Sequence, residues 1–188
     1  MAFSPNLEIL NCSNNNLTTL PKIPFSLKEL NINNNKFTYL NVSYTNIVKV
    51  MCNSNLLVNI LKLPNTIEEL WCCNNKLEHM PILPMNLNIL ICNNNNLTYL
   101  PILTGKLTKF ACCYNKLPNM PKLPHSLVSL YCDNNNLFIL PILPISLKSI
   151  SLYNNTNIIY TNLYGYDDSS NKISYINYIN INLNLYFT

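Results

Sequence analysis

The chain has 188 residues, 48% of them hydrophobic and only 11% charged, which suits one ordinary domain with a large core. Its net charge of +4 comes from twelve scattered lysines and no arginine, which excludes the clustered basic face of a nucleic-acid binder. No stretch of 18 apolar residues occurs, so no transmembrane helix is expected.

In chain order, six residues precede a repeat, and Phe3 among them falls where Ile23 and Leu83 fall in later units. It either covers the first rung or leaves an open edge strand that can pair with another chain. The repeat then runs with a period of 20, without insertion or loss, from units beginning at Leu7, Leu27, Ile47, Ile67, Leu87, Leu107, Leu127 and Leu147. Each unit approximates L-x-x-L-x-C-x-N-N-x-L-x-x-L-P-x-L-P-x-S. The ninth place is Asn in all eight: Asn15, Asn35, Asn55, Asn75, Asn95, Asn115, Asn135 and Asn155.

Three places are irregular. Residues 39–52, "YLNVSYTNIVKVMC", lack the proline pair, which predicts a bulge or an altered convex segment. The fifth unit ends in "LTGK", where Gly105 is expected to relieve a turn. Beyond Leu147 the period breaks, with Asp167 where Leu is due, yet residues 176–184, "INYININLN", fit the pattern again. They predict a ninth strand inside an irregular cap spanning 156–188, with residues 165–172 as an exposed polar loop.

The run L-x-x-L-x-C-x-x-N-x-L resembles the leucine-rich repeat over nearly the whole chain. Its second half, "LPILP" at 140–144 and "MPILP" at 80–84, is similar to the short, 20-residue LPxLP subclass of bacterial pathogen effectors. Similar Asn-rich repeats occur in large DNA viruses with AT-rich genomes. The 37 asparagines, with abundant Ile, Tyr and Lys, suit such a codon bias. The resemblance implies a single domain, 1–188, folded as a right-handed leucine-rich-repeat solenoid. This is the α/β horseshoe class, but mostly β with little helix. A parallel sheet forms the concave face, and the convex side is extended and proline-rich. Some effectors carry a catalytic domain after their repeats; only the recognition half is matched here.

The residues support that fold independently. Strand side chains alternate, so places four and six point inward and three and five outward. The prolines fix φ and remove donors, so the second half is extended rather than helical. The ninth-place amide both donates and accepts, which suits a structural Asn ladder where the chain turns off the sheet. One unit buries its apolar side chains only against its neighbours.

"LWCCNNKLEHMPILPMNL", residues 70–87, holds two cysteines and a histidine that suggest a metal or nucleophile site. The period dissolves that cluster. Cys12, Cys52, Cys72, Cys92, Cys112 and Cys132 occupy the inward sixth place and read as small core hydrophobes. In register their torsions do not suit disulfides, so free thiols are expected. Cys73 and Cys113 stand two rungs apart, about 10 Å, too far for one disulfide or zinc. His79 and His125 fall at places thirteen and nineteen, elsewhere on the coil. No catalytic residue, metal ligand or cofactor is expected.

The outward places are more informative. Met51, Trp71, Ile91 and Tyr131 predict an apolar stripe across the middle of the concave face, widened by Ile89 and edged by Lys49, Glu69 and Lys109. Contiguous apolar patches mark interaction sites, and Trp and Tyr are enriched at their centres. A sheet surface also favours such residues without any partner. The expected function is non-enzymatic protein–protein binding through that face, as a host-directed factor of a virus or intracellular pathogen. The alternative is a structural protein that self-associates through an exposed end strand. The expected partner is another protein, not nucleic acid or membrane, and the chain is expected to be a monomer or weak homodimer. "MAFSPNLEIL" lacks a basic start and a long apolar run, so no secretion signal is read. Eight cysteines then predict reduced thiols in an intracellular, cytoplasmic setting.

Overall fold

A three-residue strand recurs every 20 positions because each unit has only one short stretch of apolar–polar alternation before its Asn turn. The structure is a computed structural model that describes residues 2–155 and residue 158. The expected ninth strand at 176–184, like most of the cap, lies outside the described residues.

The strands in chain order are β1 (Ile9–Asn11), β2 (Glu29–Asn31), β3 (Tyr39–Leu40), β4 (Lys49–Met51) and β5 (Asn59–Ile60). They continue with β6 (Glu69–Trp71), β7 (Ile89–Ile91), β8 (Lys109–Ala111), β9 (Ser129–Tyr131) and β10 (Ser149–Ser151). Eight form one parallel sheet in the order β1-β2-β4-β6-β7-β8-β9-β10. No helix occurs among the described residues. The register is the repeat itself: Leu10, Leu30, Val50, Leu70, Leu90, Phe110, Leu130 and Ile150 lie side by side. The chain is a leucine-rich-repeat solenoid.

The core is the column of inward places. Leu30, Val50, Leu70, Leu90, Phe110 and Leu130 are fully buried at place four, and Cys52, Cys72, Cys92, Cys112 and Cys132 at place six. Leu57, Leu77, Leu97, Leu117 and Leu137 close the far side of the turn at place eleven. In the first rung the same places are only half-buried: Leu7, Leu10, Cys12, Leu17, Leu20 and Ile23. Phe3 is half-buried and does not close that end.

The Asn ladder forms as expected, and its geometry explains why no other residue serves. In unit four, Asn75 Nδ2 donates to the carbonyls of Cys72 (3.1 Å) and Cys73 (3.1 Å) in its own turn and of Cys52 (3.0 Å) one rung back. Its Oδ1 accepts the N–H of Leu57 at 3.0 Å. The same set recurs at Asn95, Asn115 and Asn135. A carboxylate lacks the donors, and an aliphatic chain lacks both functions.

Place eight supplies the turn. It has a left-handed backbone in every unit: Asn14, Asn34, Ser54, Asn74, Asn94, Tyr114, Asn134 and Asn154, with φ between 53 and 59°. Asn tolerates that conformation best among non-glycine residues, which is why six of the eight are Asn. A further stitch comes from place twenty. The hydroxyls of Ser26, Thr66, Ser126 and Ser146 donate to the carbonyls of Leu7, Ile47, Leu107 and Leu127 at 2.6–2.8 Å. In unit five, place twenty is Lys106, and the buried Thr104 bonds to Leu87 O instead.

The second unit departs from the rest as expected. Asn41 in unit two and Leu61 in unit three stand where the other units have proline, so Leu61 keeps its N–H and donates to Leu40 O at 3.1 Å. The result is a small second parallel sheet, β3 with β5. Asn41 Oδ1 takes both the N–H and the hydroxyl of Ser43, and Val42 turns inward to complete burial. The expectation for Gly105 is corrected. It has no positive φ, and a Cβ there meets nothing within 4 Å, so its turn does not need glycine.

Candidate functional site: the concave face

Places three and five alternate with the buried column, so they project from the concave side of the sheet. Trp71 is half-buried, and its Nε1–H donates to Glu69 Oε2 at 3.2 Å. Lys49 Nζ pairs with that same oxygen at 3.2 Å, across the β4–β6 register. Glu69 thus ties the indole edge to the lysine. Both partners of the ion pair are about 30% exposed (31% and 30%), so the pair orients Trp71 more than it stabilises the fold. Met51 lies beside Trp71 on β4, and Ile89 lies beside Glu69 on β7; both are half-buried. Lys109 is exposed at the edge. Tyr131 is half-buried, with its hydroxyl 2.9 Å from Ser149 Oγ.

One expected member is corrected. Ile91 is only 7% exposed, and its neighbour Ala111 only 5%. Strands about 4.8 Å apart crowd side chains on a concave surface, and larger neighbours close over the middle of the row. Ile91 is therefore the floor between Trp71 and Tyr131 and offers little surface of its own. The stripe is two half-open aromatic positions separated by a filled centre.

The sequence reading missed the most exposed apolar residues, which lie on the opposite side. Ile82 (88%), Ile102 (87%) and Ile142 (70%) share place sixteen, and Phe25, Met85 and Ile145 share place nineteen. The signal was present. Place sixteen holds lysine in three units (Lys22, Lys62, Lys122) and isoleucine in three others (Ile82, Ile102, Ile142), the mixture expected of a place that faces solvent.

The cysteines form a thiol column, and all eight are free. Cys52 Sγ and Cys92 Sγ each donate to the carbonyl of the fifth place one rung on, Trp71 O and Ala111 O, at 3.4 Å. Burial pushes the thiols of Cys52, Cys72, Cys92, Cys112 and Cys132 well above their ordinary range. Cys73 and Cys113 are half-buried. Burial raises Cys73, and burial reinforced by the Asp133 carboxylate pushes Cys113 up to about 11. They interrupt a second, shorter ladder at place seven. There Asn33, Asn53, Asn93 and Asp133 each accept the N–H of the same place one rung on, at 2.7 Å. His79 stacks on Tyr99, with ring centroids 4.6 Å apart. Among the described residues no three His, Cys, Asp or Glu side chains could hold a metal.

Three solved structures share this architecture. YopM from Yersinia enterocolitica WA-314 superposes with a TM-score of 0.79 at 30% identity over 82% of this chain. YopM of Yersinia pestis, a leucine-rich effector protein, gives 0.74 at 35% over 79%. A Shigella effector leucine-rich-repeat domain gives 0.69 at 26% over 79%. This chain is a leucine-rich-repeat protein similar to effector repeats. It spans 34% and 43% of the two YopM chains and 70% of the Shigella domain. No protein-family model and no curated protein matches the sequence. Repeats of this kind make interaction modules, and no helix among the described residues is long and apolar enough to cross a membrane.

Proposed function

We propose that the solenoid is a non-enzymatic, host-directed binding module that recognises another protein through its concave face, in the cytoplasm of the cell it acts on. Trp71 is the anchor, with Met51 and Ile89 beside it, Tyr131 as a second contact, and Lys49, Glu69 and Lys109 setting the charge of the rim. The observation that carries this reading is the brace from Lys49 through Glu69 to the indole. A large aromatic held in one orientation loses little freedom on binding, which favours it as a hot spot. The likeness to effector repeats supports the partner class. The raised thiols support a role without nucleophilic catalysis, since the thiolate is the reactive form.

The test is quantitative capture from host-cell lysate on immobilised wild-type, Trp71→Ala and Ile82→Ser proteins. One partner should be depleted about tenfold or more on Trp71→Ala, the loss typical of a hot-spot aromatic, and be retained by the convex variant Ile82→Ser. Equal capture by all three proteins would rule out the concave anchor.

A further inference from the structure

In each interior rung, the third place donates its N–H to the rung before: Glu29 to Glu8 O, Lys49 to Lys28 O, Glu69 to Val48 O. The fifth place accepts from that rung, as Asn31 O does from Cys12 N and Met51 O from Ile32 N. A parallel ladder alternates, so both residues also turn their remaining backbone groups that way. In β1 these residues are Ile9 and Asn11, at the end of the sheet. Their outward N–H and C=O groups have no partner among the described residues. The half-buried apolar rung lies open beside them. The opposite end differs: Leu147, Ile150 and Leu152 are 6%, 5% and 2% exposed. Among the described residues β10 is the other edge of the sheet, but its apolar rung is buried and that of β1 is not.

We propose that this end is a homodimer interface, in which β1 pairs antiparallel with β1 of a second copy about a two-fold axis at Leu10. The free groups are self-complementary in that register. Ile9 of each copy exchanges both hydrogen bonds with Asn11 of the other, and Leu10 faces Leu10 as a non-hydrogen-bonded pair. An axis along the sheet normal keeps both cores on the same side, so each open apolar rung covers the other. Edge strands are commonly guarded by lysine, proline or an inward charge, and Ile-Leu-Asn carries none of these. A rung of 20 residues matches the roughly 20–30 residues a side of an ordinary specific interface. The pairing uses the same strand on both copies, so it closes as a two-fold pair and leaves no β1 edge to extend a filament. The concave faces join into one surface, so this pairing is independent of the proposed Trp71 site.

Sedimentation velocity of the 188-residue chain across a dilution series should show monomer giving way to dimer and to nothing larger. Ile9→Lys changes a side chain that is 62% exposed, so it should keep the wild-type circular dichroism while weakening the dimer about tenfold or more. Leu10→Cys provides a direct check of register. The facing Cα atoms would lie about 4.5 Å apart, within disulfide range, so mild oxidation should give a covalent dimer that wild type and Ile145→Cys do not. A chain that stays monomeric, species that grow with concentration, or a dimer indifferent to Ile9→Lys and uncrosslinked by Leu10→Cys would each overturn the proposal.

Discussion

The first rung and the interior rungs carry the same consensus and reach different states. Leu10 and Leu30 share a place; Leu30 is fully buried and Leu10 only half. Asn15 and Asn35 share a place as well. Asn15 Nδ2 bonds only the carbonyls of its own turn, Cys12 and Ser13, and Asn15 is exposed. Asn35 adds Cys12 O one rung back and takes the Leu17 N–H. The stabilising unit is therefore the interface between rungs rather than the rung itself.

The sharpest way to break that comparison is at the ladder. Asn75→Ala leaves buried carbonyls and an N–H unpaired and should cost about 3–5 kcal/mol, whereas Asn15→Ala should cost under about 1 kcal/mol. Urea denaturation of the two variants compares them; similar losses would mean that the bonds between rungs matter less than those within a turn. Core truncation comes next. Leu70→Ala should cost about 2–5 kcal/mol and Leu10→Ala about 1–2 kcal/mol, since Leu10 is already partly in water. If dimer pairing covers Leu10, the second figure should rise with protein concentration, which thermal melts at two concentrations would reveal.

The thiols extend the comparison to pH. Burial raises them in the folded state above the ordinary value of 9.0, to about 11 for Cys113. Unfolded thiols then ionise first. The stabilisation from keeping thiols neutral is complete below about pH 9 and is lost as pH rises through the folded values. Stability should fall steadily above pH 9, and at pH 8 iodoacetamide should label the half-buried Cys12, Cys73 and Cys113 well before the column. Mass spectrometry of the labelled protein would show the order, and early labelling of Cys72 or Cys112 would contradict the packing.

The smallest effect lies at place eight. Tyr114 holds φ at 56° and is 57% exposed, so Tyr114→Asn should stabilise by about 0.5–1 kcal/mol, and Asn74→Tyr should cost a similar amount. Differential scanning calorimetry resolves shifts of that size. No shift in either variant would mean that the turn absorbs its strain elsewhere.

Much of the scaffold was legible because its rules are local and repeated. Eight asparagines in phase and alternation about place four specify turn, register and core without knowledge of what lies nearby. The altered convex segment of unit two was legible for the same reason: it lacks the proline pair, and Asn41 stands at the place of the first. The candidate site was less legible. Position alone marks Trp71 as facing outward, but the bond from its indole to Glu69 depends on how two side chains lean across a strand. Ile91 was misjudged as exposed because outward does not mean accessible on a concave, crowded face. The isoleucines at place sixteen were passed over because only the outward places of the sheet were weighed as binding surface.

Sequence by itself determined the period, the parallel register and the buried column, since an in-phase repeat leaves one way for each unit to hide its apolar places. Tertiary structure alone decided which outward residues keep their surface and which end of the stack lacks a neighbour. Exposure is set by the rungs on either side, and a rung's own 20 residues carry no record of whether a neighbour is there.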